Sequence, residues 1–321
     1  MENMKSETLV KSIYEDKTAH IDMTGQTIKL RDGRNLGYAQ YGEPAGDAVF
    51  YFHGSPSSRL EAAAWHKTAK RLNIRIIAVD RPGMGLSTFQ NGRRILDFPT
   101  DVCELADSLN IENFSVLGMS GGGPYVSACA YMLPHRVTVA GILSGTGPYN
   151  LGTSKGKMVF SIRSTDWISH NIPWLMRLVF ALVINRVRRK RDLFFWKSLP
   201  ESDKDVLDIP SIEDIWIESI TEAFRFGTRG PVKDSVLLTQ PWGINPEKIS
   251  IPITIWHGQL DCIVPINAAR YFADRIPNCN AHFYPHEGHF SLWLNHMEEV
   301  LKTMISVQYT SVNTYNLVKS R

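Results

Sequence analysis

No stretch of the chain is apolar over the roughly 20 residues that a membrane-spanning helix needs. The most apolar run, Trp174–Ile184, is short and contains Arg177, so no spanning helix is expected. Cysteine is scarce. Cys103, Cys129, Cys262 and Cys279 lie far apart with no C-x-x-C pair, which excludes a disulfide framework and reads as the reduced thiols of a cytoplasmic protein. A surplus of one charge is missing too. With 35 Lys and Arg against 32 Asp and Glu, the net charge of +3 is too balanced to point to nucleic acid. Residues 1–17 carry charge throughout and have no apolar centre, unlike a secretory leader. Internal repeats and low-complexity tracts are also lacking.

What remains is an ordinary globular mixture of 321 residues, 43% hydrophobic and 21% charged, long enough to bury a large core. Gln26–Leu30 and Leu36–Tyr41, separated by Asp32-Gly33, predict a β-hairpin. Ala48–Phe52, Ile74–Val79, Phe114–Met119 and Val137–Leu143 are short apolar or β-branched runs of strand length. Between them Leu60–Leu72, Asp97–Leu109 and Pro124–Leu133 have helical spacing. This alternation predicts an α/β fold: a mostly parallel sheet with helices on both faces. The rhythm resumes with strands at Ile251–Trp256 and Ala281–Tyr284 and helices at Asn267–Arg275 and Phe290–Ser306.

Between the two stretches the alternation stops. Residues 148–245 hold Trp167, Trp174, Trp196, Trp216 and Trp242, five of the eight tryptophans, in amphipathic, helix-like pieces. They predict an inserted helical lid or cap over the sheet's C-terminal edge. The aromatic residues read mainly as the insertion's own small core, the other reading being an apolar acyl pocket. The expected organisation is an N-terminal extension at 1–24, a core formed by 25–147 and 246–306, the lid at 148–245 and a polar tail at 307–321.

The sharpest local signal is Gly118-Met119-Ser120-Gly121-Gly122, after one expected strand and before an expected helix. It fits G-x-S-x-G in its strand–turn–helix setting. A serine thrust out on so sharp a turn leaves no room for side chains two positions away, hence Gly118 and Gly122. A serine hydroxyl needs a base, and the base an orienting acid. Asp261 follows one downstream strand and His289 the next, in the order serine, acid, histidine. His286 is a rival base. His282, His286 and His289 together resemble a metal set only superficially, and no metal or organic cofactor is expected. Negative charge developing on a carbonyl oxygen calls for main-chain donors. Gly121 and Ser55 are the candidates, since Pro56 has no N–H to give. His53 reads as a brace for that loop.

Taken together, His53-Gly-Ser-Pro56, Asp80-Arg-Pro-Gly-Met-Gly-Leu-Ser87, Gly118-Met-Ser-Gly-Gly-Gly-Pro124, Asp261 and His289 resemble the α/β-hydrolase superfamily. The resemblance covers about Gln26–Leu143 and Ile251–Ser306. It implies Ser120, Asp261 and His289 as catalytic residues, Ser55 and Gly121 as the oxyanion hole, and structural support from Asp80–Ser87. Ser120 stands where dehalogenases and epoxide hydrolases of the superfamily carry aspartate. Ser55 and Gly121 depart from the proline iminopeptidase pattern, and Ser120-Gly-Gly-Gly departs from that of the C–C bond hydrolases. The expected activity is hydrolysis of a largely apolar carboxylic ester, small-molecule or lipid. Acyl transfer or lyase chemistry at the same residues, and a ligand-binding receptor role, remain alternatives. Arg186-Val-Arg-Arg-Lys-Arg191 after the apolar run suggests weak peripheral membrane contact through the lid, or simply a solvated cationic face.

Overall fold

The computed structural model describes residues 25–149, 158–190 and 194–305. The extension at 1–24, the whole of the tail at 307–321 and, from the expected lid, residues 150–157 and 191–193 lie outside them. Eight strands form one sheet: β1 (Gln26–Lys29), β2 (Asn35–Gly42), β3 (Asp47–Phe52), β4 (Ile74–Val79), β5 (Phe114–Met119), β6 (Val137–Leu143), β7 (Ile253–Gly258) and β8 (Cys279–Tyr284). Their spatial order is β1-β2-β4-β3-β5-β6-β7-β8. β1 and β2 pair as the expected hairpin, and β2 is antiparallel to β4. All pairings from β4 to β8 are parallel. β7 starts two residues later than the sequence suggests, after Pro252, which has no N–H to place in a ladder.

Period-two burial explains the layering. Phe50, Phe52, Val116 and Ile142 pack on one face with α2 (Phe98–Ser108), α3 (Gly123–Met132) and a later helix, Asn267–Ala273. Val49, Tyr51, Leu117, Met119 and Leu143 pack on the other with α1 (His66–Arg71) and the C-terminal helices. Both faces are covered, as a parallel sheet requires. The predicted C-terminal helix breaks at His296, whose imidazole bridges Glu287 and Glu299, so that Phe290–Asn295 and 297–305 form separate helices.

Between β6 and β7 the described residues form α4 (Phe160–Asn171), α5 (Pro173–Lys190), α6 (Glu201–Leu207), α7 (Pro210–Ala223) and α8 (Arg229–Leu238). In chain order the next helices are α9 (Asn267–Ala273) and α10 (Phe290–Asn295). Met176, Phe180, Ile184 and Val187 of α5 pack with Ile217, Ile220 and Phe224 in a third apolar cluster. Of the five tryptophans expected to build this local core, Trp196 packs against it and the other four do not. Trp216 and Trp242 join the two sheet-facing clusters, while Trp167 and Trp174 point to solvent. An amphipathic pattern marks a helix face but not what that face meets.

Candidate active site

All the sequence-expected site residues sit at the carboxyl ends of parallel strands, where open α/β sheets bind ligands. Ser120 follows β5 directly and has φ of +52°, a left-handed conformation costly for a residue with a side chain. Its neighbours leave room by being glycine. A Cβ on Gly118 would lie 2.8 Å from the Gly122 carbonyl, and one on Gly121 would lie 2.7 Å from Ser55 Cβ. The chain then turns into α3, whose N-terminal end lies beside the serine.

Asp261 and His289 are brought together. His289 Nδ1 lies 2.7 Å from Asp261 Oδ2, and both side chains are buried. Asp261 Oδ1 accepts the main-chain N–H groups of Ile263 at 2.9 Å and Val264 at 2.8 Å. Burial pushes the Asp261 carboxyl up, but the His289 charge and these hydrogen bonds outweigh it and hold it below the ordinary carboxylate range. Burial alone would lower His289, yet Asp261 raises it above the usual histidine value, with Asp203 and Glu61 adding to the effect. The rival histidines lie elsewhere: His286 is exposed, and His282 stacks on Trp256 and meets Asn280.

Two main-chain amides of the loop after β3 differ in their partners. Gly54 N–H is taken by Glu61, at 2.9 Å to Oε2. Among the described residues the Ser55 N–H has no partner. His53 does brace the loop. It is fully buried, its Nδ1 lies 2.7 Å from the Gly54 carbonyl, and burial beside Arg81 holds it well below the usual histidine range.

Sequence reasoning missed two carboxylates from the insertion. Asp203, on α6, accepts the main-chain N–H groups of His289 at 3.0 Å and of Phe290 and Ser291 at 2.8 Å. Asp234, on α8, accepts from Arg81, Arg93, Tyr125 and the Ser55 hydroxyl, the last at 2.8 Å. Burial raises the Asp234 carboxyl, but the two guanidinium groups overcome that and push it far down. Arg81 also donates to the carbonyls of His53 and Gly54, which gives the Asp80–Ser87 segment its supporting part. The only sequence signal for either aspartate is a charged residue on the buried side of an amphipathic helix.

A cavity of about 520 Å³ is lined by Ser55, Ser120, Gly121 and His289. Its remaining wall is largely apolar and includes Val179, Val183, Trp196, Trp216, Leu238 and Val264. Asp166 of α4 is the one acidic residue in the described lining, and burial alone pushes its carboxyl up to about 7. Among the described residues, no group of three or more His, Cys, Asp or Glu is arranged to hold a metal ion, and no helix is long and apolar enough to cross a membrane.

A model of the family described as "Alpha/beta hydrolase family" matches residues 49–303. Among characterised proteins, the non-heme chloroperoxidase CPO-A1 of Kitasatospora aureofaciens is 26% identical over 273 residues, 81% of this chain and 90% of its own. The bifunctional esterase/perhydrolase DCH of Acinetobacter calcoaceticus is 23% identical over 266 residues, 80% of this chain and 90% of its own. Among solved structures, an esterase from Rhodococcus sp. ECU1013 superposes with a TM-score of 0.66 at 18% identity, covering 89% of this chain and 100% of its own. That last likeness is one of fold.

Proposed function

The chain belongs to the α/β hydrolase family, and from that premise we propose that it is a serine hydrolase cleaving a largely apolar carboxylic ester through an acyl-enzyme. One observation carries the reading. The strained Ser120 and the Asp261-held His289 open into the same mainly apolar cavity as Ser55 and Gly121.

In this reading Asp261 keeps the proton on His289 Nδ1, leaving Nε2 free to take the Ser120 proton as the serine oxygen attacks the ester carbonyl. The Ser55 and Gly121 N–H groups stabilise the oxyanion, each worth roughly 3–4 kcal/mol. The alcohol leaves with the proton from His289. Water, deprotonated by the same imidazole, then attacks the acyl group, and the acid departs as Ser120 regains its proton. The apolar lining supports an uncharged acyl or alcohol half, and the helices between β6 and β7 serve as the lid that excludes bulk water. A relative named for both esterase and perhydrolase activity supports a second reading, in which the acyl group passes to an acceptor other than water. Product analysis with and without added alcohol separates the two.

Intact-mass analysis after fluorophosphonate treatment tests the main reading. One adduct at Ser120, absent from Ser120→Ala and slowed in His289→Ala, is the expected result. Folded wild type that takes no adduct would overturn it.

A further inference from the structure

Helix α5 already has a satisfied inner side. Met176, Phe180, Ile184 and Val187 are buried in the insertion's core, and Val179 and Val183 line the cavity. A helix held that way is expected to be polar on its outer face. This one is not. Trp174, Leu178 and Leu182, at i, i+4 and i+8, are 74%, 57% and 63% exposed. On α4, which packs against α5, Phe160 and Trp167 are 83% and 52% exposed. Five of the eight large hydrophobic residues exposed among the described residues therefore sit on these two helices. Concentration of that kind marks an interaction surface.

Charge identifies what the surface faces. Residues 148–191 hold nine of the chain's cations and one of its acids, a net of +8 in a chain of net +3. The single acid, Asp166, lines the cavity. Exposed Arg163 shares a face with Phe160 and Trp167, and exposed Arg177 sits beside Leu178. The α5 stripe runs on through Leu182 to Arg186 and Arg189, both exposed. A second copy of this chain docking here would set two such cationic segments against each other, because a two-fold interface is self-facing.

We propose that the outer face of α4 and α5 docks on an anionic phospholipid bilayer. The tryptophan, phenylalanine and leucine side chains enter the boundary between headgroups and acyl chains, and the arginines reach the lipid phosphates. Phe160 belongs both to the exposed face and to the cavity wall, so docking sets the cavity mouth at the lipid surface.

Flotation of the full chain with vesicles tests this independently of any ester chemistry. The comparison is phosphatidylcholine alone against phosphatidylcholine with about one-third phosphatidylglycerol. Wild type is expected to float with the anionic vesicles, far less with the neutral ones, and less as salt rises. Trp174→Ser/Leu178→Ser/Leu182→Ser and Arg177→Glu/Arg189→Glu are each expected to bind roughly tenfold or more weakly. These side chains lie outside the cavity lining, so melting temperature and turnover of a soluble ester should stay at the wild-type level. Wild type left unbound by anionic vesicles, or variants that bind as well as wild type, would overturn the proposal. So would a dimer that the triple serine variant converts to monomer.

Discussion

The Asp203 carboxylate accepts the main-chain N–H of His289 at 3.0 Å, although the two residues are 86 positions apart. Its other oxygen accepts those of Phe290 and Ser291. A carboxylate from the insertion thus positions the segment that carries the proposed base.

Asp203→Asn should lower kcat more than it raises KM, because it loosens His289 without touching the cavity lining. Asp203 also helps raise His289. Removing its charge lowers the imidazole pKa, so the acidic limb of the kcat/KM profile should move to lower pH. A purely structural residue would leave that limb in place.

Asp261→Asn should cut kcat by roughly 10³–10⁴ while the fold persists, since an amide cannot hold the imidazolium. The wild-type stabilisation from this carboxyl is present above its unfolded value of 3.8 and is lost as pH falls through the depressed folded value. Thermal melts of the two proteins should therefore diverge at neutral pH and converge under acid.

Asp234→Ala leaves Arg81 and Arg93 buried without their shared counter-ion. Losing one partner of such an arrangement costs about 3–5 kcal/mol. Urea denaturation should register that loss near pH 7. Because the Asp234 carboxyl is pushed far down, its contribution should survive until the pH falls below 3.8.

Asp166→Asn should act in the opposite sense. Burial raises this carboxyl to about 7, so the stability that the folded state draws from its protonated form is lost as pH rises towards and through that value. The variant's gain in melting temperature over wild type should be larger at pH 8 than at pH 5. An equal difference at both would show that the carboxyl ionises as it does in water.

The sheet was legible because its strands are short apolar or β-branched runs punctuated by turn residues. Ser120, Asp261 and His289 could be placed because strand ends carry them to one edge in a recognisable order. Asp203 and Asp234 could not be found that way. Their partners lie 86 to 179 residues away, and nothing local distinguishes them from other acids on amphipathic helices. Four of the five insertion tryptophans depart from the expected local core for a related reason: bulk and spacing show that Trp216 and Trp174 are helical, yet one packs against Phe290 and the other faces outward.

The two halves of the insertion are attached in different ways. Ser219 bonds to Ser57 and Ser58, Glu222 to Arg59, and Asp203 and Asp234 to the loops that present His289 and Ser55. Residues 201–238 are therefore as closely tied to the proposed site as the sheet is, and a shortened chain that dispensed with them should lose the proposed activity. The helical pair at 158–190 is another matter. It touches the cavity with one side and the surroundings with the other. Val159 N–H bonds to the Cys262 carbonyl beside Asp261, but among the described residues no hydrogen bond runs from this pair to His289 or Ser55. Grafting a foreign helical pair into that slot should exchange what the proposed site selects, and where it works, while leaving the proposed cleavage chemistry intact.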